Sequence, residues 1–538
     1  MELIEVRDLD GPNLFALRPV IKLEVRIDDN DRVSTNARAS TGKLLNVTLP
    51  DDPVAALSTA ITTLHNLVGL DRPEIGRRSL DLPGHTAIFF DWTWRETAIE
   101  IAEMAYRAVT SGLESDACEV LASRLERDKR RDDRPLWIRD DTRRMPAIGI
   151  TATNGKTTTT RMVAHILRTS GLHVGWTSTS GVYIDGEQVI DGDYTGPSGA
   201  RRVLDDPTVD IAVLETARGG ILLRGLAYES NDVGVFINVS PDHLDMQGVT
   251  TVESLAEVKS IVVRVTKPDG LVVLNADDPL VLAQSERVLA PVLLFSQQVD
   301  NERVVEHVDR GGEAIVCDGE VIWRWTDGTR RKLIDLADVP ATYGGAARHM
   351  IENALAATGA VIGMRLTDDQ IVAGLSTFRS DILSNAGRLN VFRLDDRIVV
   401  VDYAHNEQGL EVLLGFARRM AGETGKVATV IGTAGDRTDD QLRGLGALGA
   451  QLADRVYLKE TSRYLRGREP GEVTEKMLAG ISTSSGADRV VGHFSGENDA
   501  FIQAFADSEP GDVIAIMCLE EQLTVLRELR DRGAEEWS

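Results

Sequence analysis

Residues 147–171 read AIGITATNGKTTTTRMVAHILRTSG: an apolar strand, a short loop that closes on Gly155-Lys156-Thr157, and a helix with Met162, Val163, Ile166 and Leu167 on one face. Strand, loop and helix in that order make a phosphate-binding turn. Backbone N–H groups at the helix start and the Lys156 ammonium meet the β and γ phosphates of a nucleotide, while the Thr157 hydroxyl can ligate Mg²⁺. The strict GxxxxGK[ST] pattern fails, because Ile150 stands at its first glycine position. The flanking strand and helix carry the reading further than the motif alone.

Beyond Pro146, short apolar runs alternate with helical patterns, the mark of a parallel sheet wrapped by helices. AIGIT (147–151), DIAVLE (210–215), VGVFINV (233–239) and GLVVLN (270–275) are the expected strands. Residues 301–332, rich in Gly, Asp and Arg, read as a hairpin-bearing excursion before helices resume at ARHMIENALAATGAVIG. RSDILSNAGRLN breaks both periodicities and predicts a hinge. A second βα series follows in RIVVVDYAH, KVATVIGTAGD, DRVYLKE and DVIAIMCLE. Upstream, residues 1–125 read as a small α+β unit without catalytic spacing: LFALRPVIKLEVRID looks like strand, and VAALSTAITTLHNLVGL and WRETAIEIAEMAYRAVTSGL look like helices. Between the two parts RLERDKRRDDRPLWIRDDTRRM interleaves both charges and suits a solvated linker.

Composition bounds the function. The 538 residues correspond to about three domains at roughly 100–200 residues each. With 42% hydrophobic and 27% charged residues the chain is neither disordered nor fibrous. Lys plus Arg is 59 against 84 Asp plus Glu, a net charge of −25 that disfavours non-specific binding to nucleic acid or anionic membrane. An anionic substrate therefore needs a local cluster of donors. Cys118, Cys317 and Cys518 are far apart with no CxxC pair, against a zinc ribbon or disulfide framework and in keeping with a reducing compartment. MELIEVRDLDGPN places acids where a signal peptide would be basic and apolar, and no run approaches the roughly 20 apolar residues of a membrane helix. A cytoplasmic location is the expectation.

Other polar residues fall at the carboxyl ends of the expected strands, where open α/β sheets bind ligands. Glu215 ends DIAVLE, and Asp242-His243 follow VGVFINVS. Taken singly, Glu215 reads equally as a surface carboxylate and His243 as a structural histidine; on one rim they read as ligands of Mg²⁺. In SLAEVKSIVVRV, the apolar stripe of Leu255, Val258, Ile261, Val262 and Val265 runs beside Lys259. That lysine either snorkels or works chemically in the site.

TATNGKTTTTRMVAHI, LETARGGIL, NVSPDHLDMQG, GLVVLNADDP, HMIENALAA, VDYAHNEQG and GTAGDR, in this order, resemble the Mur ligase family, and within it the ligase half of the cyanophycin synthetases. The likeness spans about residues 146–538, and LDGPNLFALR is similar to the small N-terminal domain of the same enzymes. Their intervening ATP-grasp module has no counterpart between the two parts. The resemblance implies α/β Mur ligase architecture: an N-terminal α+β domain (1–125), a charged linker (126–145), a central P-loop-type parallel-sheet ATPase domain (146–380) and a C-terminal Rossmann-like α/β domain (387–538) acting as a mobile lid. It implies ATP-dependent amide bond formation through an acyl phosphate, with ATP and Mg²⁺ as cofactors.

By that resemblance, Asn154, Gly155, Lys156, Thr157 and Thr158 hold the triphosphate, and Thr157, Glu215 and His243 ligate Mg²⁺. Lys259 matches a lysine that many Mur ligases carry as a carbamate organising a second metal. Asn353 matches the adenine contact, Arg388 the hinge arginine that reaches the phosphates, and Asp402 the ribose contact. His405 and the Asp436-Arg437 loop come from the lid. Lys156, Glu215, His243, Lys259 and Arg388 form the implied catalytic set.

There are departures. Ala152 stands for a family glycine, Glu407 for a proline after Asn406, and TSRYLRGREPGE follows Lys459-Glu460 where cyanophycin synthetases have an acidic run, which puts arginine as the incoming amine in doubt. The expected substrates are an amino-acid-derived carboxylate and an amine, the acceptor being an amino acid or an aspartate-rich peptide. A partner enzyme supplying the acceptor, and a homo-oligomer, are both compatible with the N-terminal unit. Two other readings stay open: a nucleotide-binding scaffold or partner subunit without ligation, and a P-loop ATPase or kinase, which gives no reason for Lys259.

Overall fold

The computed structural model describes residues 1–28, 30–241, 244 and 248–537. Alternating β-branched and polar residues form β1 (Glu2–Leu9) and β2 (Val20–Arg26), which pair with β3 (Ile75–Ser79) and β4 (His85–Asp91) in a wholly antiparallel sheet ordered β1-β2-β4-β3. Ile21, Leu23, Val25, Ile88 and Phe90 form its core with the helices Pro53–Leu67 and Arg95–Thr110. The strand expected from Leu14 starts only at Val20, because Pro19 has no N–H to give a ladder.

The linker expectation needs correction. The helix Ala117–Arg131 runs into residues 126–145, held by buried Leu121, Leu125 and Asp128. Asp128 accepts from the Thr97 N–H (2.8 Å) and hydroxyl (2.7 Å) in the first turn of Arg95–Thr110. Farther on, Ile138 bridges Tyr228, and the Arg143 side chain, 2% exposed, pairs with Asp232 at 2.7 Å. Asp128 and Arg143 are anchors, while most of the segment's other charges are exposed.

The central sheet has eleven strands: β5 (Ala147–Thr151), β6 (Val174–Ser178), β7 (Gly181–Ile184), β8 (Glu187–Asp191), β9 (Ile211–Glu215), β10 (Asn231–Phe236), β11 (Thr266–Asn275), β12 (Val292–Ser296), β13 (Glu313–Cys317), β14 (Val321–Thr326) and β15 (Thr329–Asp335). Their order is β15-β14-β13-β12-β11-β10-β5-β9-β6-β7-β8, parallel from β13 through β6 and antiparallel in both outer pairs. Helices Lys156–Thr169, Arg348–Gly363 and Asp368–Leu375 cover one face, and Pro197–Leu204, Val252–Arg264 and Glu302–Asp309 the other. The excursion at 301–332 holds that last helix as well as the β14–β15 hairpin.

After the short helix Ile382–Asn385, the C-terminal sheet is ordered β20-β19-β18-β21-β17-β16-β22. Its strands are β16 (Asn390–Leu394), β17 (Arg397–Asp402), β18 (Val427–Ile431), β19 (Arg455–Lys459), β20 (Val490–Phe494), β21 (Val513–Met517) and β22 (Glu535–Glu536). β17 to β20 and β21 run parallel, while β16 and β22 are antiparallel. The chain is thus an α/β protein of three domains, and the carboxyl ends of β5, β9 and β17 meet at one cavity. No helix among the described residues is long and apolar enough to cross a membrane.

Two seams join the domains. At the N-terminal seam, Asp10 N–H donates to Arg224 O (2.7 Å) and Leu226 N–H to Pro12 O (2.8 Å). There a Cβ on Gly11 would lie 1.9 Å from Leu226 O, so only glycine fits. Arg78 also grips both oxygens of Glu257, at 3.0 and 2.5 Å. The second seam is the cavity.

Candidate active site

β5 delivers the loop Ala152–Gly155 to the start of the helix Lys156–Thr169. Gly155 has φ +87°, and a Cβ there would lie 2.3 Å from Asn353 Oδ1, so the turn demands glycine twice over. Lys156 Nζ donates to Ala152 O (3.0 Å) and Thr153 O (2.8 Å), which holds the ammonium over the loop. The loop's own N–H groups are set by Asn238, whose Oδ1 accepts from Thr153 N (3.2 Å) and Asn154 N (3.0 Å).

Next along, Thr157 Oγ1 donates to Glu215 Oε1 at 3.0 Å and meets Thr179 Oγ1 at 3.2 Å. Glu215 is 2% exposed, and its Oε2 is buried with no hydrogen-bond partner among the described residues. Burial pushes this carboxyl up, against the pull of Lys156 and Arg388. A buried carboxylate oxygen left over beside a threonine hydroxyl suits a hard divalent cation that takes most of its ligands from phosphate and water. Among the described residues no three His, Cys, Asp or Glu side chains cluster for a metal. Lys259, 4% exposed, reaches the same place from the helix Val252–Arg264, its Nζ donating to Ala152 O at 2.6 Å. Asp242 and His243 lie outside the described residues.

The helix Arg348–Gly363 forms another wall. Asn353 Oδ1 accepts from Thr159 Oγ1 (3.2 Å) against Gly155, and Glu352 accepts from Asn238 and Asn275. Burial lowers His349 to about 4, so it is neutral at pH 7. Thr158 accepts from Asn385 Nδ2 at 3.4 Å, which brings the hinge segment onto the loop helix.

The C-terminal domain closes the cavity. Arg388 donates to Thr179 Oγ1 (3.2 Å) and lies over the Tyr403 ring at 4.4 Å. Asp402, at the end of β17, accepts Leu389 N–H and Ala404 N–H, both at 2.7 Å, which fixes the turn beside Arg388. Burial raises its pKa. His405 Nδ1 lies 3.0 Å from Tyr403 O. Across the seam, Asn154 Nδ2 donates to Gln408 Oε1 (2.8 Å), Ser240 Oγ donates to the same oxygen (2.6 Å), and Asn406 Nδ2 donates to Asn154 Oδ1 (3.3 Å).

Asp436, Arg437, Tyr464, Arg466 and Leu519, all from the C-terminal domain, also line this cavity of about 400 Å³. The loops after β18 and β19 are stitched together by Arg468, which donates to Gly435 O and Arg437 O, both at 2.8 Å, and by Gly435 N–H donating to Tyr464 O (2.8 Å). The loop after β21 joins them through Arg463 N–H, which donates to Glu520 Oε1 (2.6 Å), and is fastened at a buried carboxylate. Buried Glu497 accepts from Lys459 Nζ (2.6 Å), Cys518 Sγ (3.1 Å) and the N–H groups of Leu519, Glu520 and Glu521.

Apart from His243, every residue named from the sequence as a site residue lines or touches this cavity. Sequence reading passed over Thr179, Asn238, Glu352, Tyr403 and Gln408. Asn238 and Glu352 had local signals, a polar residue ending VGVFIN and the neighbour of Asn353. Gln408 had none, since its partners are distant in sequence.

The Mur ligase middle domain matches residues 150–361, and the Mur ligase glutamate ligase domain matches residues 387–518. The chain is 44% identical over 338 residues to cyanophycin synthetase of Crocosphaera subtropica, covering 63% of this chain and 38% of that protein. It is 29% identical over 379 residues to UDP-N-acetylmuramoyl-L-alanyl-D-glutamate–2,6-diaminopimelate ligase of Chlorobaculum tepidum, covering 69% of this chain and 70% of that one. In fold it is similar to the bifunctional folylpolyglutamate synthase/dihydrofolate synthase of Yersinia pestis, with TM-score 0.52 and 21% identity over 72% of this chain and 89% of that chain. The chain thus spans 38% of the length of the cyanophycin synthetase it matches.

Proposed function

The chain belongs to the Mur ligase family, whose members are ATP-dependent acid–amino-acid ligases, and from that premise we propose that its cavity activates an amino-acid-derived carboxylate with ATP and joins it to an amine. The observation that carries this reading is Glu215: a buried carboxylate with one oxygen on Thr157 and the other without a hydrogen-bond partner among the described residues, facing Lys156 and Arg388.

In this reading the loop N–H groups of Asn154–Thr158 and the Lys156 ammonium hold the phosphates, Asn353 meets the adenine, and Asp402 the ribose. Thr157, Glu215, His243 and a carbamate on Lys259 supply ligands for Mg²⁺, which when bound neutralises phosphate charge. Arg388 orients the γ phosphate. The substrate carboxylate oxygen attacks the γ phosphorus and ADP leaves; the amine then attacks the acyl carbon, loses a proton and expels phosphate. Closure by Tyr403, His405 and Gln408 keeps water from the acyl phosphate.

The amine end has its own chemistry. Two guanidinium groups, Arg437 and Arg466, face the cavity there against one carboxylate, Asp436. Such an end repels a cationic amine such as arginine and suits an amino acid that carries a carboxylate. The acceptor is an amino acid or an aspartate-rich peptide.

The test is phosphate release from ATP with Mg²⁺, across the common amino acids singly and in pairs, with and without aspartate-rich peptides, followed by mass spectrometry. A product whose mass is the sum of two substrates less one water is the expected result. ATP binding without substrate-stimulated phosphate release would favour a scaffold, and a product that retains phosphate would favour a kinase; either overturns the ligase.

A further inference from the structure

Glu352 sits on the helix Arg348–Gly363 beside Asn353, and no part of the ligase reading uses it. Its Oε2 accepts from Asn238 Nδ2 and its Oε1 from Asn275 Nδ2, each at 2.9 Å. Asn238 is 6% exposed and Asn275 2%, so neither amide can turn to water for its hydrogen bonds. The other end of the Asn238 amide meets the phosphate loop, where Oδ1 accepts from Thr153 N–H and Asn154 N–H. An amide has two possible orientations, and in the wrong one an NH2 group would face two N–H donors. What chooses the right one is the acceptor on the far side.

We propose that Glu352 is a positioning residue for the phosphate loop: it fixes Asn238 with its carbonyl toward Thr153 and Asn154, and so presets the loop backbone for nucleotide. This rests on the nucleotide-site reading above and extends it to a residue that touches no substrate. The helix Arg348–Gly363 then holds the loop from two sides, through Glu352 and Asn238 at Thr153-Asn154 and through Asn353 at Gly155 and Thr159.

The device depends on charge. A carboxylate accepts at both oxygens, whereas a protonated carboxyl turns one oxygen into a donor facing an NH2 group. Burial, with Asp277 and Asp278 adding to it, raises Glu352 to about 7. His349 stands on its own helix, and Lys156, Lys259, Glu215 and Arg388 are among the charged groups that line the same cavity. Acidification through pH 7 protonates Glu352 and weakens nucleotide binding.

The test is calorimetric binding of Mg²⁺-ADP to the full chain as unaltered protein, Glu352→Gln, Asn238→Ala and the double variant. At pH 8, Glu352→Gln should weaken binding about tenfold, the scale of one charge-assisted hydrogen bond. It should cost nothing further in the Asn238→Ala background. Equal cost in both backgrounds, or no cost in either, overturns the inference. Between pH 8.5 and 6 the gap between the unaltered protein and Glu352→Gln should close, because the nucleotide's own ionisation affects both alike; a constant gap overturns it. If Glu352→Gln fails to fold, the same pH comparison against Asn238→Ala decides. Absence of ADP binding by the unaltered protein would instead overturn the nucleotide reading itself, and this inference with it.

Discussion

The two seams between domains are built from different materials. The N-terminal seam uses backbone hydrogen bonds at Asp10 and Leu226, a glycine pressed against a carbonyl, and a two-pronged arginine–carboxylate pair. The cavity seam uses side-chain amides and a hydroxyl, Asn154, Asn406, Gln408 and Ser240, around a space of about 400 Å³. The N-terminal contacts are sterically tight, with no room for a side chain at Gly11, whereas the cavity contacts are made by side chains that can part and rejoin. In the ligase reading proposed above, the first seam is a fixed dock and the second is the one that opens.

Breaking the chemistry at the cavity seam should have the largest effect. Glu215→Ala should lower ATP turnover by about three orders of magnitude, the scale of lost metal-assisted charge stabilisation, with ADP affinity and the thermal midpoint largely kept; retained turnover removes Glu215 from the site. Lys259→Ala should lose about a hundredfold, the low end for a group that organises catalysis, and short carboxylic acids should partly restore the rate if a carbamate is the working form. No rescue counts against the carbamate.

At the dock the effect should move from rate to stability. Gly11→Ala should cost about 1–3 kcal/mol by overpacking, read by denaturant unfolding, while the folded fraction turns over normally. A normal unfolding midpoint would show the seam is softer than its geometry. Gln408→Ala should do the reverse, with a several-fold rise in the KM for ATP, about 1 kcal/mol for a lost neutral hydrogen bond, and an unchanged melting temperature.

The smallest effect sharpens the comparison through pH. The hydrogen bond from Arg78 holds the Glu257 carboxyl below its ordinary value of 4.5. A lowered folded pKa stabilises above the unfolded pKa, and that stability is lost as pH falls through the folded value. Arg78→Ala should therefore lose under about 1 kcal/mol near pH 7 and nothing at the acid end. Equal loss at both ends would mean that packing, not charge, makes the contact.

Much of the fold was legible because the central strands are apolar runs closed by polar residues: AIGIT is β5 to the residue, and DIAVLE contains β9. What escaped was amphipathic or charged. β1 alternates Ile and Val with Glu and Arg beside acids, and β22 is only Glu535–Glu536. The helix Ala117–Arg131 hides its buried stripe behind Asp128, an acid whose burial makes sense only once Thr97 is seen to donate to it. The site divides the same way. Lys156, Thr157 and Glu215 announce themselves by position at a helix start and a strand end, whereas Glu352 gains its meaning from Asn238, two residues past β10, and Asn275, the last residue of β11, both far away in sequence.

The fastening of the amine end has a consequence for engineering. Arg468 ties the loops after β18 and β19 into one unit, and two contacts join that unit to the Glu497 hub: Arg463 N–H donates to Glu520 Oε1 (2.6 Å), and Lys459 Nζ donates to Thr461 Oγ1 (3.1 Å) as well as to Glu497. The pocket thus comes as three loops laced together at known points. Grafting residues 434–437 and 461–468 together toward a new amine therefore has to keep Arg468, the Thr461 hydroxyl and the backbone contact of Arg463, so that the Glu497 hub stays in place.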